Sequence, residues 1–500
     1  MNLVMKAVYR LLSVVFIAGL LHSCASVPQK ASQAGRIPSM TPDYAGATIP
    51  SNIAPLAFAY DEDGARYVTV FSAGDERFVV KGKDRAVPPM KAWKKMMAGA
   101  TRVDVETYMR KDGVWTHFEP FHFDVAGAID QFLSYRLIPP NFENFEHLSL
   151  SIRDLTSYNE REFYNNELLK DGSQVQCMNC HHFRNYGTDE MQFHVRQYLG
   201  GTMILREGEV RKVNMKNDST ISSGVYPAWN PVYNYIAYST NFTYQEFHSH
   251  HRNLLEVIDD NSQLILYDLD RNEVQLVYDD PDALECFPAW APDGRRLYFT
   301  SAYMPYEGEP EGKTSWFYEH YEDIRYDLYS IDFNPDNRSW GEPVKVIDAS
   351  SMGRSISIPR VSPDGRWLMF AMGEYGVFHI WHEDADLYLL DLQDGSWRAI
   401  DEVNTDLPES YHSWSSTGEW VAFTTRRDDA HYTRVYLAHH NGDGTFGKPF
   451  ALPMKNPRWS TFFMYSFNVP EFTVEDIPYT AQELANLVRD TETQVIPPAK

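Results

Sequence analysis

The chain has 500 residues, with 69 acidic side chains against 45 basic ones and a net charge of −24. That balance excludes nucleic acid as the partner, because phosphate backbones select basic faces. It leaves room for a basic protein or a cationic redox mate. Hydrophobic residues make up 43% and aromatic residues 14%, enough for a large core or for two to three domains.

At the start, Lys6 and Arg10 flank an apolar run at residues 11–21 (LLSVVFIAGLL). This reads as a targeting segment, too short to span a bilayer. It ends in Leu21-His22-Ser23-Cys24, which resembles the lipobox of bacterial lipoproteins. The resemblance implies a signal peptide over residues 1–23 and a lipid on Cys24, which removes that thiol from disulfide chemistry. Ala25-Ser26 lack the Asp that retains such lipoproteins at the inner membrane, and no acidic run follows. An outer-membrane anchor, with the body in the periplasm, is therefore implied. Residues 24–47, scattered with Ser, Gln, Pro and Gly, read as a flexible tether.

Residues 48–140 read as a small N-terminal β-sandwich. Segments 65–71 (ARYVTVF), 102–108 (RVDVETY) and 114–118 (VWTHF) alternate apolar and polar residues between Gly- and Asp-containing turns. A short helix is expected at 92–97 (AWKKMM) and another at 126–133 (AGAIDQFL), before Pro139-Pro140 marks the junction. No catalytic constellation lies in this region.

Residues 177–181 (CMNCH) are where the chemistry is expected. C-x-x-C-H is the attachment signature of a c-type haem. Cys177 and Cys180 can reach the two vinyl groups of one porphyrin, and His181 is then the proximal iron ligand. The chain has four cysteines, and two of them fall here. The other readings are a redox disulfide or a zinc site, although structural zinc wants four ligands and no second C-x-x-C exists. Covalent haem is attached outside the cytoplasm, which agrees with an exported chain. For the sixth iron ligand, His194 comes first, with Met191, His412 and histidines of later insertions behind it, although Met191 aligns with Leu297 and reads better as core. His182 reads as a constrained neighbour of the motif, and Cys286 as a small buried apolar residue.

An internal repeat organises the second half. Residues 226–231 (YPAWNP), 287–294 (FPAWAPDG), 358–365 (IPRVSPDG) and 411–418 (YHSWSSTG) line up, each followed by an apolar strand. From Trp229, Trp290, Val361 or Trp414 to Tyr238, Phe299, Phe370 or Phe423 is nine positions every time. The P-D-G turn suits a tight β-turn. Third strands follow at 264–269 (LILYDL), 327–332 (DLYSID) and 386–392 (DLYLLDL). Four strands per unit make a β-propeller blade. These units resemble the propeller repeats of TolB and its relatives over roughly residues 220–450. The resemblance implies a fold and a periplasmic habit, and no reaction.

The haem motif falls in a fifth, degenerate copy. Residues 191–193 (MQF) match 297–299 (LYF), which sets Cys180 beside Pro288 and Met178 beside Cys286. A half unit beginning at 456–460 (NPRWS), completed by 148–152 (LSLSI), closes the ring without exposed edges. The expectation is an all-β chain: a six-bladed TolB-like propeller at 141–475 behind the sandwich, with a tail at 476–500.

The motif is expected in a loop entering its blade. Insertions at 241–262, 302–325 and 373–384 emerge on the same face, carrying His248, His250, His251, His320, His379 and His382. The run 248–251 (HSHH) could bind a metal, and is more often a polar loop. No Gly-rich phosphate loop, H-E-x-x-H or G-x-S-x-G is found. Two function classes follow. One is a haem-bearing periplasmic lipoprotein, an electron carrier or small-ligand binder with a redox or protein partner. The other is a TolB-like binding scaffold without haem. Neither reading requires an enzyme.

Overall fold

The computed structural model describes residues 27–140, 142–248, 251, 253, 255–278, 280–309 and 312–499. The signal segment, Cys24 and His250 lie outside the described residues. The chain is predominantly β and built as a propeller, with an N-terminal region packed on one side.

That N-terminal region has a seven-stranded and a three-stranded sheet. Arg66–Ala73 pairs with both Glu76–Gly82 and Arg102–Lys111, as the period-two alternation of their residues requires. The helix Met90–Met97 turns Trp93, Met96 and Met97 into the core between them. Residues expected as a flexible tether are part of this body. Ser32–Gln33 pairs with Val114–His117, Met40–Thr41 pairs with Phe58–Tyr60, and Tyr44 and Ala47 are fully buried. Two buried apolar side chains in a short stretch are enough to hold it down.

Six further sheets follow in a ring. Their inner strands are β1 (Gln176–Phe183), β2 (Val225–Trp229), β3 (Ala283–Trp290), β4 (Ser355–Val361), β5 (Glu409–Trp414) and β6 (Ser466–Thr473). Each inner strand touches the next, and β6 returns to β1. The β6 sheet is composite: Phe132–Ile138 pairs with β6 on one edge and with Ser149–Asp154 on the other, which pairs in turn with Glu160–Asn165. Residues 126–133, expected as a helix, instead lead into the strand Phe132–Ile138. Leu133, Tyr135 and Leu137 are buried at a spacing of two, and that period suits a strand. The closing strand also starts later than the 456–460 stretch suggested, because Trp459–Thr461 is a single 3-10 turn and pairing begins at Ser466.

The C-terminal residues continue as structure. Thr480 and Glu483 form a capping box on the helix Ala481–Asp490, whose Leu484, Ala485 and Val488 enter the core beneath β1. Thr493–Val495 then adds, in parallel, to Glu209–Asn214 at the outer edge of the β1 sheet. The sheet carrying the C-x-x-C-H motif is thus covered on its outer edge.

Candidate functional site

Every inner strand carries a β-bulge. In β3, Cys286 pairs with Thr300 and Ala289 with Tyr298, so Phe287 and Pro288 oppose one residue. In β1, Asn179 pairs with His194 and His182 with Gln192, leaving Cys180 and His181 as the bulge. The first bulge residue has a left-handed backbone in five strands: Cys180 at φ +52°, Tyr226 at +48°, Phe287 at +51°, Ile358 at +53° and Val469 at +49°. Proline follows at 227, 288, 359 and 470, and His181 takes that place in β1. This register corrects the sequence alignment by one residue: Cys180 matches Phe287, and Cys286 matches Asn179. It also places the motif within a strand and not in a loop.

The bulge matters for the thiols. In a regular strand, residues three apart point to opposite faces. The bulge breaks that alternation, and Cys177, Cys180 and His181 all line one cavity of about 2230 Å³ at the centre of the ring. Both cysteines are free and partly exposed to it. The strand around them is held by side chains: Gln192 Nε2 donates to the Cys180 carbonyl at 2.9 Å, and Tyr238 OH donates to Gln192 Oε1 at 2.6 Å. The Met178 N–H donates to Asn166 Oδ1 at 2.9 Å.

His181 is buried among Phe163 and Phe183, with ring centroids at 6.4 and 6.0 Å. Neither of its ring nitrogens is in a well-formed hydrogen bond, and the Val469 backbone and Glu471 are its polar neighbours. Burial lowers its pKa to about 4, against the pull of Glu471 in the opposite direction. Glu471 Oε2 is 3.9 Å from His181 Nε2, while Glu471 Oε1 is 2.5 Å from His182 Nδ1 and accepts from the Phe183 N–H at 3.1 Å. Burial pushes the Glu471 carboxyl up, but His182, His181 and the Phe183 N–H outweigh it, and the net shift is downward.

Of the two expected sixth ligands, His194 lines the cavity and Met191 does not. His194 stands opposite Asn179, on the face shared with Cys177 and Arg196. Its Nδ1 is 2.9 Å from Thr202 Oγ1, and burial lowers its pKa to about 3. Met191 is fully buried in the core beneath β1 and is not a cavity wall. His412 is a wall residue whose ring nitrogens meet the carbonyls of Ser410 (2.8 Å) and Met369 (3.1 Å).

The insertions close over the cavity. Tyr235–Phe247 and Leu255–Asp268 form one long hairpin whose Tyr244, Phe247 and Val257 face it. The hairpin is clamped to the 373–384 insertion. Asn253 accepts from the Glu383 N–H at 3.0 Å and donates to Tyr375 OH at 2.9 Å, and Glu256 Oε2 lies 3.0 Å from His382 Nε2. The insertion histidines are therefore mostly committed: His379 to Ser357 and the Tyr375 carbonyl, His382 to Glu256, His251 to Glu322. Among the described residues, no three His, Cys, Asp or Glu side chains converge on a metal position.

Sequence reasoning missed Glu471, Arg136 and Arg360, all walls of the cavity. Arg360 had a signal: it stands where its sister strands have Ala228 and Ala289, and a charged residue at a small-residue repeat position marks a departure. Glu471 belongs to Val469-Pro470-Glu471-Phe472, a copy of Phe287-Pro288-Ala289-Trp290 that was there to be aligned.

No protein-family model matches the chain, and no curated protein matches it. Solved structures that resemble it include TolB from Acinetobacter baumannii, 12% identical over 77% of this chain and 85% of that one, with a TM-score of 0.42. An oligogalacturonate lyase from Vibrio parahaemolyticus is 13% identical over 62% and 88%, with a TM-score of 0.33. A putative 6-phosphogluconolactonase from Bacteroides fragilis is 10% identical over 64% and 94%, with a TM-score of 0.29. No ligand or reaction passes from these proteins to this chain.

Proposed function

We propose that the chain is a haem-bearing lipoprotein of the cell envelope, anchored in the outer membrane through Cys24 and facing the periplasm. Its haem is joined covalently to Cys177 and Cys180, with His181 as the proximal ligand. The six ring sheets are read as the six blades of a TolB-like propeller, and the two N-terminal sheets as a β-sandwich beside it. One observation supports the haem assignment: a buried imidazole with neither nitrogen in a well-formed hydrogen bond lines the same cavity as two free thiols. A buried polar group without a well-formed hydrogen bond is costly, and it asks for a ligand.

A bound haem would supply an iron centre for redox change or for binding a small molecule. The wall residues are compatible with either use: Met191 lies in the core, while His194 lines the cavity with its Nδ1 2.9 Å from Thr202 Oγ1. Tyr226, Tyr411 and Arg360 line the space that an incoming molecule would enter.

A haem-free binding scaffold is the second reading, and one feature favours it: the motif is held in an extended, paired strand. One experiment separates the two. Full-length protein made with an active c-haem maturation system is denatured and stained for covalent haem. Stain in the wild type and none in Cys177→Ala/Cys180→Ala is expected. Equal stain in the double variant would overturn attachment at this motif, and an unstained wild type would leave the scaffold reading.

A further inference from the structure

The cavity's charge is opposite in sign to that of the chain. Four arginines line it (Arg136, Arg196, Arg360 and Arg426) against two glutamates, Glu383 and Glu471, with no lysine or aspartate among the walls. The whole chain has 69 acidic residues to 45 basic ones, so carboxylates were available to neutralise them.

Elsewhere the protein does so. Arg184 meets Glu190 at 3.0 Å, Arg427 meets Glu409 at 2.8 Å, Arg366 meets Asp391 at 3.1 Å, and Arg338 meets Glu273. Among the described residues, none of the four cavity arginines has a carboxylate at ion-pair distance. Arg360 donates only to the carbonyl of its neighbour Pro359, at 3.0 Å. Arg426 is 8% exposed, donates through Nη2 to the Ile380 carbonyl at 3.1 Å, and leaves Nε without a partner. Its guanidinium lies 5.1 Å from the centre of the Trp381 ring. Arg136 donates to Asn179 and also leaves Nε unpaired.

An unpaired guanidinium out of bulk water is expensive, and burial accordingly lowers the pKa of Arg360 and brings that of Arg426 down to about 10. The permanent positive charge on the walls belongs to the arginines, whose planar forks match carboxylates. Between them the walls are aromatic: Tyr226, Phe287, Phe378 and Tyr411. We infer that the central cavity is a receptor for a carboxylate-bearing ligand with an apolar body, held by Arg360 and Arg426.

This inference shares the cavity with the haem reading and does not require it. The carboxylates could belong to the haem itself or to a diffusible molecule, and the experiment distinguishes the two. Isophthalate and its neutral isostere isophthalamide are titrated calorimetrically into full-length wild type and into Cys177→Ala/Cys180→Ala. Isophthalate is expected to bind about tenfold or more tightly than the diamide, since hydrogen bonds to charged groups are the strong ones. Binding to both proteins assigns the arginines to a diffusible ligand. Binding to the double variant alone assigns them to the carboxylates of the haem. Binding to neither, or equal binding of acid and diamide, overturns the inference. The haem stain reports independently on the haem reading.

Arg360→Gln and Arg426→Gln are each expected to weaken isophthalate about tenfold, with Arg360→Lys recovering part of the loss. Neither Gln variant should lower the melting temperature of the unliganded protein, because each removes an uncompensated cation. Unchanged binding in the Gln variants, or a lower melting temperature with binding intact, would show structural arginines and overturn the assignment.

Discussion

Strands β1 and β3 share a backbone and differ in what they place on it. Both carry a bulge whose first residue is left-handed, Cys180 in one and Phe287 in the other. In β3 that residue is fully buried, its ring 4.3 Å from Tyr226, and a proline follows. In β1 the same two positions hold a thiol and an imidazole, where β3 lines the cavity with an aromatic ring and a proline. Left-handed backbone costs a non-glycine residue about 1–2 kcal/mol. Alone at Cys180, that cost would suggest a strained functional site. Its recurrence at Tyr226, Phe287, Ile358 and Val469 shows that the strain belongs to the scaffold. What marks β1 as a site is the chemistry on the bulge, not the bulge.

The largest test of this contrast compares the two bulges by truncation. Phe287→Ala should cost about 3–5 kcal/mol in a denaturant melt, as expected for a buried ring. His181→Ala should stay within about 1 kcal/mol, because the lost packing is offset by removing two buried nitrogens that lack well-formed hydrogen bonds. Similar losses at both positions would mean that His181 is a structural residue like Phe287 on the sister bulge.

The next test concerns the carboxylate beside β3. Asp259 accepts from Asn241 Nδ2 and Thr243 Oγ1, both at 2.6 Å, and Asn241 also approaches Cys286 Sγ at 3.7 Å. Burial outweighs these bonds and raises the Asp259 pKa from 3.8 to about 6. A raised folded-state pKa gives stability that is full below pH 3.8 and is lost as pH rises through about 6. Asp259→Asn should therefore match the wild type near pH 4 and exceed it at pH 8, by on the order of 3 kcal/mol. Melts across that range would show a widening gap, and a constant gap would rule out the titration.

The smallest effect is expected at the position where Asn179 and Cys286 correspond. Cys286 is fully buried, and burial raises its thiol well above the ordinary range. Cys286→Ala should cost about 1 kcal/mol and leave covalent haem stain at the wild-type level. Reduced stain would bring a third cysteine into the chemistry and blur the difference between the strands.

The sequence by itself determined the repeat, the four-stranded unit and the C-x-x-C-H motif. These rest on local rules: period-two alternation, turns that need Pro and Gly, and a spacing of three between thiols. It misjudged the phase of the motif by one residue, because a longer turn separates β1 from its partner and only hydrogen-bond register fixes the count. It read residues 126–133 as a helix because apolar runs that short do not distinguish the two periods. Residues 127–131 form a connection, and only Phe132 and Leu133 join the strand paired with β6. Tertiary structure alone decided which side chains meet. Glu471 reaches His181 and His182 only because the last inner strand closes the ring beside the first. Arg136, Arg360 and Arg426 come from three different sheets or their loops, and nothing in their local sequence shows that they share a cavity. That they have no carboxylate partner among the described residues is equally invisible there, since pairing depends on distances that ring closure sets.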